Sequence, residues 1–129
     1  MASLWQEREK QLLALRERAK RGGGEARMNK QRAAGKLTAR ERLTLLFDPD
    51  TFVEIGELVE SRIDDFGMDE RRVPGDGVVI GYGRVNGRTV CASSEDFTVI
   101  GGTLGEYHSQ KICRIMDMAI DMKCPFVLI

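Results

Sequence analysis

The dipeptide Asn86-Gly87 constrains this chain more than any other feature of its sequence. It stands between Gly77-Val78-Val79-Ile80-Gly81-Tyr82-Gly83-Arg84-Val85 and Thr89-Val90-Cys91-Ala92, two runs with the residue types of β-strands. A two-residue type I′ turn requires φ > 0 at both central positions, which Asn and Gly accept, so the pair predicts an antiparallel hairpin. Downstream, a loop holds Ile100-Gly101-Gly102-Thr103, and apolar residues at 104, 112, 115, 116, 119, 120 and 122 mark a helix ending before Pro125. Pro125-Phe126-Val127-Leu128-Ile129 is a continuous apolar run, as expected of a strand buried on both faces of a parallel sheet. The order strand, hairpin, loop, helix, strand predicts an α/β fold whose last strand runs parallel to an earlier one through a right-handed crossover. Exposed termini are usually polar, so the chain reads as one cut in mid-sheet.

The front half of the chain has a different period. Leu4, Leu12, Leu15 and Ala19 recur at helical spacing among Glu, Arg and Lys, predicting an amphipathic helix that Gly22-Gly23-Gly24 stops. A polar helix over Glu25–Ala34 closes at Gly35. Thr38-Ala39-Arg40-Glu41 is a capping box, in which the Thr38 hydroxyl accepts an amide of the new helix and Glu41 reaches back to the Thr38 amide. Leu43, Leu45, Leu46 and Phe47 follow, and Asp48-Pro49-Asp50 ends that helix. Thr51–Gly56 reads as a short strand and residues 60–76 as an exposed, turn-rich loop. The chain therefore divides into a helical segment, 1–47, and an α/β body, 48–129.

Twenty basic and twenty acidic residues cancel, but unevenly: residues 1–42 carry twelve and five, net +7, and residues 43–129 carry eight and fifteen, net −7. The basic residues of the front interleave with Glu and only one aromatic, Trp5, which favours a partner-facing helix over a nucleic-acid surface. No apolar run reaches the roughly 18 residues of a membrane helix, and the N-terminus lacks the apolar core of a secretory signal. Cys91, Cys113 and Cys124 form no CxxC pair or disulfide framework and read as buried thiols of a reducing compartment. With one histidine and scattered cysteines, no metal constellation is expected.

The stretch Asp96-Phe97-Thr98-Val99-Ile100-Gly101-Gly102-Thr103-Leu104-Gly105 carries the most chemical information. Its paired glycines let a backbone approach a ligand, and the following helix N-terminus offers free N–H groups to an anion or carbonyl oxygen. The same stretch also reads as a tight structural turn with Thr103 capping the helix. It matches neither nucleotide-binding glycine pattern. His108 follows it and reads as structural rather than as a general base. Asp64-Asp65 and Asp69-Glu70 read as solvated loop carboxylates. Lys36 and Arg40, two cations beside a helix N-terminus, form the better anion candidate.

Several blocks of this sequence resemble, in order, the biotin-dependent acyl-CoA carboxyltransferases. They are Gly35-Lys36-Leu37-Thr38-Ala39-Arg40-Glu41-Arg42-Leu43, Asp65-Phe66-Gly67-Met68, Pro74-Gly75-Asp76-Gly77-Val78-Val79 and Asn86-Gly87-Arg88. Ser94-Glu95-Asp96-Phe97-Thr98-Val99-Ile100-Gly101-Gly102-Thr103-Leu104-Gly105 closely resembles that family's SQDFTVFGGSLG block, with Glu95 and Thr103 as mild departures, and Gln110-Lys111-Ile112 and Cys124-Pro125 continue it. The likeness is nearest to the propionyl-CoA carboxylase and methylmalonyl-CoA carboxyltransferase branch and weakest over the first twenty residues.

The resemblance implies a crotonase-like spiral of ββα units, of which this chain is the N-terminal part preceded by helical segments. It implies transfer of CO2 from carboxybiotin to the α-carbon of an acyl-CoA, with propionyl-CoA giving methylmalonyl-CoA, through an enolate held by backbone amides. The family's Asp-Ser-Gly-Gly-Ala-Arg oxyanion motif is expected just beyond Ile129, so no catalytic residue is expected here. Gly101, Gly102 and Thr103 are expected to line the acyl-CoA pocket, and Lys36 and Arg40 to contact the CoA phosphates. Biotin would arrive on a carrier, from a biotin carboxylase or carrier subunit, and the full subunit would be a hexamer of the bacterial cytoplasm or mitochondrial matrix. The alternatives are a subunit-assembly module without chemistry of its own and a methylmalonyl-CoA decarboxylase subunit.

Overall fold

The computed structural model describes residues 3–129. Helix α1 (Leu4–Lys20) begins at Ser3, whose hydroxyl accepts from the Gln6 amide while Gln6 Oε1 accepts from the Ser3 amide at 2.8 Å. Of the expected apolar stripe only Ala19 is buried; Leu4, Leu12 and Leu15 are exposed, so the stripe finds cover among the described residues only at its C-terminal end. Helix α2 (Glu25–Ala33) closes at Gly35, as expected. The predicted capping box starts helix α3 (Ala39–Leu46): Thr38 Oγ1 accepts from the Glu41 amide at 3.3 Å, and Glu41 Oε2 accepts from the Thr38 amide at 2.8 Å.

Strands β1 (Val53–Ile55), β2 (Val78–Val85), β3 (Arg88–Glu95) and β4 (Phe126–Leu128) form one sheet in the order β1-β2-β3-β4. The first three are antiparallel neighbours, and β4 runs parallel to β3 with Cys91 opposite Phe126 and Ser93 opposite Leu128. Helix α4 (Glu106–Asp121) makes the crossover between them. The hairpin turn is where the sequence places it, with φ of 50° at Asn86 and 78° at Gly87. The Asp48 carboxylate braces that turn, accepting from the Asn86 amide at 3.0 Å and the Gly87 amide at 2.8 Å.

Side chains alternate across the pleat and build two cores. On one face Val79, Val90 and Ala92 pack under Ala39, Leu43 and Phe47; on the other Val78, Ile80 and Cys91 pack under Ile115 and Ala119 of α4. The architecture is thus a sheet between α3 and α4, an α/β fold as expected.

In β4, an edge strand of this sheet, Phe126 and Val127 are half-buried and Leu128 is exposed. Two expectations need correction. Of the cysteines only Cys91 is buried; Cys124 is half-buried and Cys113 sits on the exposed face of α4. The loop 60–76 is exposed only in its first part, with turns at Asp65–Gly67 and Asp69–Arg71, whereas Pro74 and Gly75 are buried.

Candidate functional site

The segment from Asp96 to Gly105 is held by its own short-range bonds. Asp96 Oδ1 accepts from the Thr98 amide at 3.0 Å and the Thr98 hydroxyl at 2.5 Å, and the Gly102 amide donates to Val99 O at 2.9 Å. Ile100, Gly101 and Gly102 are consecutively left-handed, with φ of 46°, 66° and 76°. A β-branched residue in that region is strained, and such strain persists where surrounding structure imposes it. Space decides Gly102 as well: a Cβ there would lie 2.9 Å from the Phe97 ring, while at Gly101 it would meet nothing within 4 Å.

Thr103 does not cap α4. Its hydroxyl donates backward to Ile100 O at 2.6 Å, and the cap position falls at Gly105, which has no side chain. Asp76 takes the role from a distance, its Oδ2 accepting from the His108 amide in the first turn of α4 at 2.9 Å. His108 is fully buried, with Nδ1 2.9 Å from Asp76 O. A carbonyl only accepts, so Nδ1 carries the proton and the ring is a strut. Burial raises the Asp76 carboxyl above its ordinary value, against the His108 amide.

Sequence reasoning assigned no role to Lys111. It is buried on α4, and its Nζ donates to Gly75 O at 2.6 Å and Val78 O at 2.5 Å, clamping the turn that carries Asp76. Burial pushes its ammonium down to about 8, against the pull of Glu54.

The two predicted cations part company. Arg40 is committed to Glu54 at 2.9 Å and also reaches Ala19 O, so it is an internal ion pair rather than a free anion contact. Burial raises the Glu54 carboxyl, with Arg40 the first opposing influence. Lys36 instead lines a cleft of about 710 Å³ with Arg27, Lys30 and Arg42, over Leu37 and Phe97. Arg42 donates to Glu95 O and lies 5.9 Å above the Phe97 ring. Gly101 lines a neighbouring cleft of about 750 Å³ with Arg18, Arg71 and Arg72; Gly102 and Thr103 line neither.

One contact joins these parts. The Gly23 amide donates to Thr98 Oγ1 at 2.9 Å, and a Cβ on Gly23 would fall 1.8 Å from Thr98 O. The glycine run that stops α1 therefore also seats the basic front against the candidate loop, and Arg27 adds a bond to Thr98 O at 3.3 Å. A run of three glycines was the available signal for such a close approach, but its partner lies 75 residues away. Chemically, the site can hold an anionic ligand with an apolar portion. The first cleft sets four cations beside the polar side chains of Gln31 and Thr98, and the neighbouring cleft adds the carboxylates of Glu25 and Glu70 to its arginines.

The chain matches the carboxyl transferase domain family over residues 30–129. It is 56% identical over 106 residues to the methylmalonyl-CoA decarboxylase subunit alpha of Propionigenium modestum, covering 82% of this chain and 20% of that protein. It is 55% identical over 108 residues to the mitochondrial propionyl-CoA carboxylase beta chain of Homo sapiens, again covering 82% and 20%. A hexameric transcarboxylase 12S structure with methylmalonyl-coenzyme A and methylmalonic acid bound aligns at TM-score 0.93 and 46% identity, over 99% of this chain and 25% of that one. The chain thus spans about a fifth of the length of the curated relatives it matches.

Proposed function

Since the chain belongs to the carboxyl transferase family and has its crotonase-like fold, we propose that it supplies the acyl-CoA side of a biotin-dependent carboxyl transfer, with propionyl-CoA as acceptor and methylmalonyl-CoA as product. The observation that carries the proposal is the cleft with Arg27, Lys30, Lys36 and Arg42 around Leu37 and Phe97. Cations suit the phosphates of CoA, and Phe97 and Leu37 suit its adenine or pantetheine. Gly101, Gly102 and Thr103, on the turn beyond Phe97 and outside that cleft, are assigned to the thioester end, since left-handed glycines let a backbone approach a ligand.

These residues bind and orient; none is assigned to catalysis. Carboxybiotin supplies the activated carboxyl group, and a biotin carboxylase or carrier subunit delivers it. The cation-lined clefts do not suit the neutral ureido ring of biotin, so no step through biotin is assigned to this chain. The enolate oxygen is assigned to backbone amides outside the described residues. The exposed Trp5, Leu12, Leu13 and Leu15 of α1 favour an assembly role for the front within a homo-oligomer, a hexamer by analogy with the transcarboxylase. The bacterial cytoplasm or mitochondrial matrix is the corresponding location.

A second reading, methylmalonyl-CoA decarboxylase, is favoured by the decarboxylase relatives at 56% and 50% identity. It uses the same acyl-CoA site in the opposite chemical direction. Calorimetric titration with propionyl-CoA tests the shared premise: Lys30→Glu/Lys36→Glu is expected to weaken binding at least about tenfold, and unchanged affinity overturns the site. Carboxylation of an acyl-CoA series with the biotin-carrying partner, set against CO2 release from methylmalonyl-CoA, then separates the two activities.

A further inference from the structure

Two of the three cysteines meet inside the core. Cys91 Sγ on β3 and Cys124 Sγ, between α4 and β4, lie 3.6 Å apart within the cluster that joins α4 to the sheet. Their backbones are held on both sides. The Cys91 amide donates to Pro125 O at 2.9 Å, next to Cys124 in the chain. Cys124 ends a Schellman motif: its amide donates to Ala119 O at 3.0 Å, the Lys123 amide donates to Ile120 O at 3.1 Å, and Lys123 is left-handed at φ 51°. With both backbones held, the two sulfurs lie 3.6 Å apart and must close to the roughly 2.05 Å of a sulfur–sulfur bond.

We propose that Cys91 and Cys124 form a dithiol modification site that a two-electron oxidant of the peroxide class converts to an intrachain disulfide clipping β4 to β3. The half-buried Cys124 is the sulfur an oxidant reaches first; Cys91 is fully buried. The Cys124 thiolate attacks one peroxide oxygen and becomes a sulfenic acid, releasing hydroxide, which takes a proton to become water. Cys91 sulfur then attacks the Cys124 sulfur; the S–O bond breaks and the hydroxyl leaves as water with the Cys91 proton. Two thiols give up two electrons, and hydrogen peroxide is reduced to two waters. Burial, followed by the hydrogen bond with Cys124, pushes the Cys91 thiol up to about 11, so Cys91 is not the sulfur that opens the reaction.

The proposal is independent of the acyl-CoA reading. Cys113, exposed on α4, reacts with the same reagents, so the test uses Cys113→Ser. After hydrogen peroxide, both remaining thiols are expected to vanish from a titration in denaturant. The intact mass should fall by about 2 Da, and dithiothreitol should restore both thiols. In Cys113→Ser/Cys124→Ser the mass is expected to rise by oxygen addition or to stay constant, with no loss of hydrogen. Oxygen addition to Cys113→Ser without loss of hydrogen, or two thiols persisting after peroxide has fully oxidised an exposed control thiol, would overturn it.

Discussion

Gly102 stands at φ 76° with the Phe97 ring 2.9 Å from where a Cβ would lie, while Gly101 at φ 66° faces open space. The two positions separate backbone strain from crowding. Gly101→Ala is expected to cost about 1–2 kcal/mol in urea denaturation, the usual penalty of a left-handed L-residue. Gly102→Ala should cost more, and adding Phe97→Ala should return it toward the Gly101 value; equal costs for the two single variants would remove the crowding. Lys111 makes a second residue-scale case. Its folded-state value of about 8 lies below its ordinary 10.5, so between those limits the unfolded chain holds more protons and stability rises with pH. The advantage of wild type over Lys111→Met, which leaves two carbonyls without a donor, is therefore expected to grow from pH 8 to 10 in paired denaturation curves. Both glycines and Lys36 were legible as candidates from residue type and neighbours. Lys111 was not: its carbonyl partners lie 36 and 33 residues away and advertise nothing in sequence.

At the scale of elements, strands and helices with local causes were legible. Asn86-Gly87 marks the hairpin and Thr38 with Glu41 starts α3, because each signal and its effect lie within a few residues. The start of α4 was misplaced because its cap is tertiary: Asp76 accepts from the His108 amide across 32 residues. That arrangement gives a clean comparison. Asp76→Ala is expected to lose about 0.5–2 kcal/mol, the value of a helix cap, and to speed amide exchange over the first turn of α4. Asp76→Asn keeps an acceptor and tolerates the left-handed φ of 46°, so it should retain most of both. Equal loss in the two variants would place the effect elsewhere.

Across the whole molecule, the opposite charges of front and body meet at specific contacts. Arg16 pairs with Glu57 at 2.8 Å and Arg40 with Glu54 at 2.9 Å. The charge split was legible by counting; the docking was not, because it depends on Gly23 lying against Thr98 with no room for a methyl group. Gly23→Ala is expected to unseat the front, seen as faster proteolysis over residues 20–35 while the body stays resistant; unchanged cleavage would show that the seam gives way without cost. The brace at the hairpin bears on how long the molecule keeps its chemical identity. Asn-Gly pairs age by deamidation, in which the glycine nitrogen closes on the asparagine side-chain carbonyl to a five-membered succinimide. Here the Gly87 nitrogen is engaged by Asp48 at 2.8 Å, and the Asn86 amide by the same carboxylate at 3.0 Å. The nucleophile is tied down in the ladder's own turn, so the dipeptide that sets the fold is shielded from its characteristic decay for as long as Asp48 holds it.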